Sequence, residues 1–405
     1  MAETDFKVYG YRWVVLSAFM AVVAVNQLLW ITFAAITTES MQFYKVSDLQ
    51  IGLLSLSFMA VYILVSFPAS WVIDTYGIRV GVGIGAALTG AFGLARGLAA
   101  SNYGWVLAAQ IGIAVGQPFV LNAVTTVAAR WFPMKERGTA SGLGSLAIYI
   151  GILAGLALTP YLALRSGIPG VLNMYGIVSA AAMFLFFIFA RERPPSPPCP
   201  PDQEARSLVM DGLSKMIRQK DFILLMAIFF VGLGAFNAIT TWIEQILSPR
   251  GFSATQAGNA GGLMIAGGIL GALVVPMLSD QRRKRVPFIM LAIGGATLGL
   301  AGLTFVTGYT LLLIVSFIFG FFLLSAGPVG FQYGAEITYP APEGTSNGLL
   351  LLMGQISGIA LILGLDALKS PVDGSMTVPL VVLIVVLAVC LVLGTQLKEA
   401  VALRG

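Results

Sequence analysis

The sequence predicts an all-α membrane protein with twelve transmembrane helices in two six-helix halves. Three observations predict this fold class: the composition, twelve apolar stretches of membrane-spanning length, and motifs that recur at one fixed offset. The 405 residues are 58% hydrophobic and 10% charged, and the mean hydropathy is +0.90, whereas soluble domains carry about 25% charged residues. Such a chain cannot cover itself with a polar surface, which excludes a soluble enzyme, a nucleic-acid-binding domain and a disordered chain.

The predicted spans fall into two sets of six. A helix needs about 20 apolar residues to cross the hydrocarbon core. Such stretches occur at 11–38, 47–74, 79–99, 104–130, 136–164, 169–190, 221–248, 253–279, 286–305, 310–336, 343–368 and 374–397. The long connection at 191–220 contains prolines that preclude a regular helix over 194–201. We therefore predict an N-terminal six-helix bundle over 1–190, a cytoplasmic linker over 191–220 with an amphipathic helix at 207–220, and a C-terminal bundle over 221–405.

The basic residues predict the orientation of the chain. With both termini inside, eighteen of the 23 Lys and Arg residues fall on the cytoplasmic side and five on the opposite side. Cytoplasmic loops carry the excess of Lys and Arg in membrane proteins. We therefore expect a multi-pass protein of the cell membrane (inner or plasma) with both termini in the cytoplasm.

Two short motifs recur 206 residues apart. An Asp followed five residues later by an Arg ends spans 2 and 8, at Asp74 to Arg79 and at Asp280 to Arg285. A Gly-Thr-x-x-Gly-Leu segment opens spans 5 and 11, at 138–143 and at 344–349. A parallel repeat of six spans predicts two halves related by a pseudo-twofold axis along the membrane normal.

Over its whole length the sequence resembles the major facilitator superfamily, whose signature loop between spans 2 and 3 looks like the turn from Asp74 to Arg79. The resemblance implies that the loop acid meets the N-terminus of span 11, where the helix dipole and unpaired N–H groups favour an anion. Through the repeat, the second loop acid then meets the N-terminus of span 5. The expected gating residues are Asp74, Arg79, Gly138, Asp280, Arg285 and Gly344.

The middle of each predicted span is without fixed charge. Acidic and basic residues of the spans fall near the outer ends (Glu39, Arg96, Glu244, Asp366) or the inner ends (Asp74, Arg130, Glu336). A carboxylate or sugar-phosphate substrate would call for a central Arg or Lys, and proton coupling for a central acid or His. The chain contains no His and two Cys, so the sequence predicts no metal site, no cofactor, no catalytic residue and no enzyme activity.

Neutral polar and aromatic residues lie within several spans at similar depth. They are the expected substrate-binding residues: Trp30, Asn26, Gln27, Gln117, Asn122, Tyr149, Asn237, Trp242, Tyr333 and Gln355. An amide at membrane depth needs a protein partner or a water-filled cavity. The set favours a cavity; the alternative is that the amides bond neighbouring helices together. A cavity of aromatic and amide groups suits a neutral or cationic substrate, because aromatic faces attract quaternary ammonium groups.

Several segments resemble the feline leukaemia virus subgroup C receptor family, whose members are linked to choline, ethanolamine and haem transport. The most specific is GFQYGAEITYPAPEGTSNGLL at 330–350. The resemblance implies a choline pocket lined by Trp30, Gln117, Asn237 and Gln355, in which Asn237 replaces the Tyr of the family. One aromatic wall is then absent unless Trp242 or Tyr149 supplies it. Haem is a poorer substrate, because the chain has no His to ligate iron.

The leading hypothesis is a facilitator that moves a choline- or amine-like cation by alternating access. Its expected partners are a small-molecule substrate and the lipid bilayer, without nucleic acid, and its expected state is a monomer. The alternative is a proton- or ion-coupled carrier or exporter of another organic solute, neutral or anionic, with Glu244 or Glu336 as the coupling acid. A membrane enzyme or a receptor without transport is the third hypothesis, which no nucleophile–base pair or metal cluster supports.

Overall fold

The computed structural model describes residues 8–196, 216, 218–339 and 343–399. The chain divides into two compact units: unit 1 comprises residues 1–33 and 39–207, and unit 2 comprises residues 34–38 and 208–405. Unit 1 contains predicted spans 1 to 6 and unit 2 contains predicted spans 7 to 12, with residues 34–38 as the exception. The amphipathic helix predicted at 207–220 falls mainly outside the described residues and stays a prediction.

Unit 1 begins with four separate spans. They are the helices Arg12–Ile31, Asp48–Tyr76, Ile78–Leu98 and Tyr103–Leu121, the last of which Val124–Trp131 continues. A short helix, Thr37–Tyr44, precedes span 2. Spans 5 and 6 follow in one helical run, Met134–Phe189.

This run of 56 residues is two helices joined at Gly167. A straight helix of that length would measure about 84 Å, far more than the about 30 Å of the hydrocarbon core. Gly167 has φ 66° and ψ 174°, a conformation that is essentially restricted to glycine. Beyond it the chain turns back, because the hydroxyls of Thr159 and Tyr175 lie 2.9 Å apart. The 11 apolar helices of membrane-spanning length among the described residues therefore make twelve crossings, as predicted.

Unit 2 contains the remaining spans. They are Lys220–Thr241, Ala254–Arg282, Val286–Phe305, Tyr309–Thr338, Glu343–Ala367 and Thr377–Gly394. The short helix Ile243–Leu247 follows span 7 directly after Trp242. Spans 8 and 10 pack closely, because a Cβ atom added to Gly271 would collide with the carbonyl oxygen of Phe321.

The sequence repeat corresponds to equal helices in the two units. Span 2 (Asp48–Tyr76) and span 8 (Ala254–Arg282) both contain 29 residues and are offset by 206. Both begin with a capping box. In span 2 the Ser47 hydroxyl accepts from Gln50 N at 3.2 Å, and Gln50 Oε1 accepts from Ser47 N at 2.9 Å. Ser253 and Gln256 make the same two bonds at 3.3 and 2.9 Å. These bonds satisfy N–H groups that a helix start leaves unpaired.

The conformation of Gly167 predicts a large cost for a side chain at this position. We expect Gly167→Ala to lower the free energy of unfolding by about 1–3 kcal/mol, because alanine is strained in this region of φ/ψ space. The control is Gly364→Ala in span 11, where a Cβ atom meets nothing within 4 Å and alanine favours the helix. Thermal unfolding of the two purified variants measures the difference. Equal unfolding midpoints would contradict the assignment of Gly167 as the break between spans 5 and 6.

Candidate functional site

Trp30 of span 1 has a fixed ring orientation. Its side chain is 5% exposed, and the indole Nε1 donates to the carbonyl oxygen of Ser55 in span 2 at 3.2 Å. The Ser55 hydroxyl donates in return to the carbonyl oxygen of Trp30 at 3.5 Å. The polar edge of the indole is thus satisfied by the protein, which leaves the ring face as the surface that a ligand can contact.

Asn26 bonds span 1 to its neighbours, and Gln27 bonds to Asn26. Asn26 is fully buried, and its Nδ2 donates to Thr89 Oγ1 at 3.0 Å and to the carbonyl oxygen of Ile113 at 3.5 Å. Gln27 Nε2 donates to Asn26 Oδ1 at 3.3 Å. The Nδ2 end of the Asn26 amide therefore joins span 1 to spans 3 and 4, and its Oδ1 is used within span 1.

Asn122 joins the end of span 4 to span 2. Its Oδ1 accepts from the Tyr62 hydroxyl at 2.6 Å. Its Nδ2 lies within 3.1 Å of two oxygens of Ser66 and of the Ser70 hydroxyl. These contacts occupy the amide from both ends, so the geometry fits a bond between helices better than a contact with substrate.

Gln117 and Tyr149 differ from these residues. Gln117 is 5% exposed and Tyr149 is half-buried, yet neither side chain makes a hydrogen bond to another described residue. Within unit 1 these two side chains keep hydrogen-bonding groups that the described protein leaves unused.

In unit 2 the structure brings Asn237 and Gln355 close together. Asn237 Nδ2 donates at 3.2 Å to the carbonyl oxygen of Gly354, the residue before Gln355. Gln355 is half-buried, and its amide makes no hydrogen bond within the part of the chain that the structure describes. Gln355 therefore resembles Gln117 in having unused hydrogen-bonding groups.

Trp242 and Tyr333 have structural bonds. Trp242 is fully buried, and its Nε1 donates to the carbonyl oxygen of Ile362 at 3.1 Å. Tyr333 is also fully buried, and its hydroxyl donates to the carbonyl oxygen of Lys398 at 2.8 Å, at the C-terminal end of unit 2. The polar groups of both side chains are therefore used by the protein.

Arg285 is the centre of a charged cluster at the start of span 9. Its side chain, 8% exposed, donates to Glu336 at 2.9 Å, to Asp280, and to the Ser279 hydroxyl at 3.1 Å. Glu399 accepts at 3.0 Å from the backbone N–H group of Arg285. Burial alone would lower the pKa of Arg285, but the hydrogen bonds to Glu336 and Asp280 raise it above its ordinary value. Arg285 thus carries its charge permanently.

Unit 1 contains a related arrangement at the start of span 3. Glu192 accepts from the N–H group of Ile78 at 3.2 Å and from that of Arg79 at 2.8 Å, and Arg130 forms an ion pair with Glu192. In each unit, an acid that follows the last span stabilises a helix N-terminus. This acid is Glu192 after span 6 in unit 1 and Glu399 after span 12 in unit 2. Neither residue was predicted from the sequence.

Three more of the predicted gating residues lie at exposed positions. Asp74, Arg79 and Gly138 are exposed, and neither the Asp74 nor the Arg79 side chain makes a hydrogen bond to another described residue. Gly344 lies in the first turn of helix Glu343–Ala367. The contacts implied between the loop acids and the N-termini of spans 5 and 11 stay predictions.

The two candidate coupling acids already have partners. Glu336 accepts from Arg285 and, at 2.9 Å, from Gln332. Glu244 is 2% exposed, and its carboxylate accepts from Thr38 and Gln245. Both carboxylates are therefore hydrogen-bonded within unit 2.

Arg96 is a buried charge whose environment the sequence did not reveal. It is fully buried near the end of span 3. Its Nη1 donates to Gln110 Oε1 at 2.8 Å and to the carbonyl oxygen of Leu29 at 3.1 Å. Gln110 of span 4 is fully buried as well, and a Gln within an apolar stretch was the available signal. Among the described residues, no carboxylate lies within ion-pair distance of Arg96.

The family follows from a comparison with known sequences. A sequence profile described as Major Facilitator Superfamily matches residues 13–362. The chain belongs to the major facilitator superfamily. Solved structures agree with this fold. A bacterial homologue of the human lysosomal transporter Spinster, in an inward-facing and unoccupied conformation, is similar with a TM-score of 0.79 at 15% identity, over 96% of this chain and 97% of that one. The transporter FucP, in an outward conformation, is similar with a TM-score of 0.67 at 16% identity, over 96% of this chain and 98% of that one.

Curated relatives cover most of the chain. Solute carrier family 49 member A3 of Danio rerio is 31% identical over 385 residues, which is 91% of this chain and 81% of the relative. Choline/ethanolamine transporter FLVCR1 of Mus musculus is 30% identical over 386 residues, 86% of this chain and 68% of the relative. The resemblance inferred from the sequence motifs is confirmed. This superfamily member is a multi-pass membrane transporter of a small molecule, and not an enzyme.

The Arg285 cluster predicts a large effect of removing its cation. We expect Arg285→Met to destabilise the protein by about 3–5 kcal/mol, because Glu336 then keeps a largely buried charge without a cationic partner. Arg282→Met, at an exposed position one turn earlier, should change the free energy of unfolding by less than about 0.5 kcal/mol. Adding Glu336→Leu to Arg285→Met should restore part of the loss. Equal unfolding midpoints for the two single variants would show that Arg285 does not compensate Glu336.

Proposed function

We propose that this transporter is a facilitator for a choline- or amine-like organic cation. It works by alternating access in the cell membrane, with both termini in the cytoplasm. The observation that carries the proposal is that unit 1 contains an oriented Trp30 ring and, on Gln117 and Tyr149, polar groups without a hydrogen-bond partner among the described residues. In unit 2, the unbonded amide of Gln355 provides a second candidate contact.

The chemistry of these groups fits a small amphiphilic cation. The face of an indole ring attracts an ammonium group by about 0.5–2 kcal/mol or more, depending on how far the ion is desolvated. A hydroxyl at the other end of the substrate would satisfy an amide that otherwise lacks a partner. Since Trp30 is only 5% exposed, the groups that cover its ring must move to admit a ligand, as alternating access requires.

The relatives support the same substrate class. The curated names of FLVCR1 of Mus musculus and of flvcr2a of Danio rerio describe choline/ethanolamine transporters. At the position where the resemblance implies a Tyr, this chain has Asn237, whose Nδ2 donates to the carbonyl oxygen of Gly354. The aromatic enclosure is therefore smaller, which favours a less methylated or more polar amine than choline.

The engagement of both candidate coupling acids supports facilitated rather than coupled transport. In proteoliposomes with the membrane potential clamped, we expect uptake down the substrate gradient to persist at equal pH on both sides. Replacing sodium by potassium should leave the initial rate unchanged. Abolition of uptake by a protonophore or by sodium removal under the clamp would instead establish a coupled carrier.

Trp30 should determine the preference for a cation. We expect Trp30→Ala to abolish detectable binding of choline or ethanolamine, and Trp30→Phe to retain part of it, because Phe keeps a weaker negative ring face. Titrations should include 3,3-dimethylbutan-1-ol, the uncharged isostere of choline. The control is Trp105→Phe, an exposed Trp of span 4, which should leave affinity unchanged. Equal affinity for choline and the isostere would eliminate the cation–π site and favour a neutral-solute carrier.

The amides should contribute separately to affinity. We expect Gln117→Ala and Gln355→Ala to weaken binding by about 1–3 kcal/mol each if they bond the substrate. Asn122→Ala should instead lower thermal stability with little change in affinity, because the Asn122 amide is occupied by span 2. Asn237→Tyr should shift preference toward choline by adding an aromatic wall. Affinity that is insensitive to both Gln substitutions would place the substrate elsewhere.

A further inference from the structure

Glu244 holds a short segment of the chain to unit 2. Residues 34–38 belong to unit 2, whereas residues 33 and 39 on either side of them belong to unit 1. Glu244 Oε1 accepts from the Thr38 hydroxyl at 2.7 Å, and Oε2 accepts from the Thr38 backbone N–H group at 3.1 Å. Gln245 Nε2 donates to Oε2 at 2.9 Å and to Thr38 Oγ1 at 3.1 Å. We call this group of three residues the Thr38 clamp.

The Thr38 clamp supplies hydrogen bonds to the buried carboxylate of Glu244, which has no cationic partner among the described residues. Glu244 is 2% exposed, and no Lys or Arg of the described residues lies within ion-pair distance of it. Hydrogen bonds to an ionised carboxylate are shorter and stronger than those between neutral groups. Thr38 also lies in the first turn of helix Thr37–Tyr44, where the helix dipole favours an anion. Most of the stabilisation of this carboxylate therefore comes from Thr38 and Gln245.

The Glu244 carboxylate has two favourable states, one bonded to Thr38 and Gln245 and one hydrated by water. A state with neither kind of partner is high in free energy. With the clamp closed, Thr38 and Gln245 replace water around the charge. With the clamp open, water must reach Glu244, because a buried and unpaired carboxylate is strongly disfavoured. An element with two discrete arrangements is what a conformational transition requires. Since residues 33 and 39 belong to unit 1, release of Thr38 frees the chain between them from unit 2.

We propose that Glu244 is a positioning residue for transport, whose bonds to Thr38 form and break in each transport cycle. The proposal rests on the transport activity of the protein and not on the identity of its substrate. It gives Glu244 a role that requires no bound proton, unlike the role of a coupling acid. Asp366 offers a contrast in the same unit, because it pairs with Lys369 three residues away and holds no segment that lies between residues of unit 1.

A reversible cross-link tests whether the clamp must open. In a background with Cys199→Ser and Cys390→Ala, the variant Thr38→Cys with Glu244→Cys is treated with a short bifunctional thiol reagent that a reductant cleaves. Transport in proteoliposomes should fall at least tenfold on cross-linking and return after reduction. The matched control, Asp366→Cys with Lys369→Cys, should keep its activity when cross-linked. Undiminished transport by fully cross-linked Thr38→Cys/Glu244→Cys protein would overturn the proposal.

A second measurement covers the case in which the double cysteine variant is inactive before cross-linking. Ala35 is fully buried within the held segment, so Ala35→Cys in the same cysteine-free background should react slowly with a polar thiol reagent in detergent solution. Adding Glu244→Gln should raise the labelling rate about tenfold, because an amide places a donor against the donors of Thr38 and Gln245. Adding Asp366→Asn instead should leave the rate unchanged. An unchanged rate with Glu244→Gln would also overturn the proposal, and this experiment needs no substrate, so it is independent of the preference for choline.

Discussion

Polar groups at membrane depth have to be satisfied within the protein, because lipid offers them no hydrogen bonds. This constraint accounts for most of the polar side chains in the spans. The Trp30 indole uses a carbonyl of span 2, Asn26 joins three spans, and fully buried Arg96 uses Gln110 and Leu29. Because most polar side chains of the spans are hydrogen-bonded to the protein, those that lack a partner among the described residues are candidates for binding a ligand. Gln117 and Gln355 are such groups, and this is why they are the best candidates for substrate contacts.

Helix N-termini impose a related constraint at the ends of the spans. The first N–H groups of a helix have no partner within it, and the protein satisfies several with acids or capping boxes. Glu192 serves the start of span 3, and Glu399 serves the start of span 9. The two units differ in the charges around these acids. The residue 206 positions after Arg130 is Glu336, so unit 1 has a base where unit 2 has an acid that pairs with Arg285.

Charge placement connects the proposed substrate to the proposed clamp. Arg96 and Glu244 are both buried and both lie near ends of spans rather than at their centres, so the middle of each unit is left to neutral groups. Without a fixed charge to neutralise, a cation can bind through ring faces and amides and can be released without a change of protonation. The proposed control of the conformational change then falls to the Thr38 clamp, in which a buried carboxylate accepts from Thr38 and Gln245.

The sequence by itself determined the membrane class, the twelve spans, the repeat and the family, because these depend on composition, length and short motifs that act locally. It also contained the capping boxes at Ser47 and Ser253, as a Ser followed three residues later by a Gln. Only the tertiary structure decided how each polar side chain is used. Asn122 and Gln117 lie five residues apart on span 4 and look equivalent in sequence, but span 2 occupies one and leaves the other unbonded. Likewise the contact of Glu244 with Thr38, 206 residues away in the chain, could not be read from the sequence. Such contacts depend on which helices pack together, and hydrophobic pattern does not specify that.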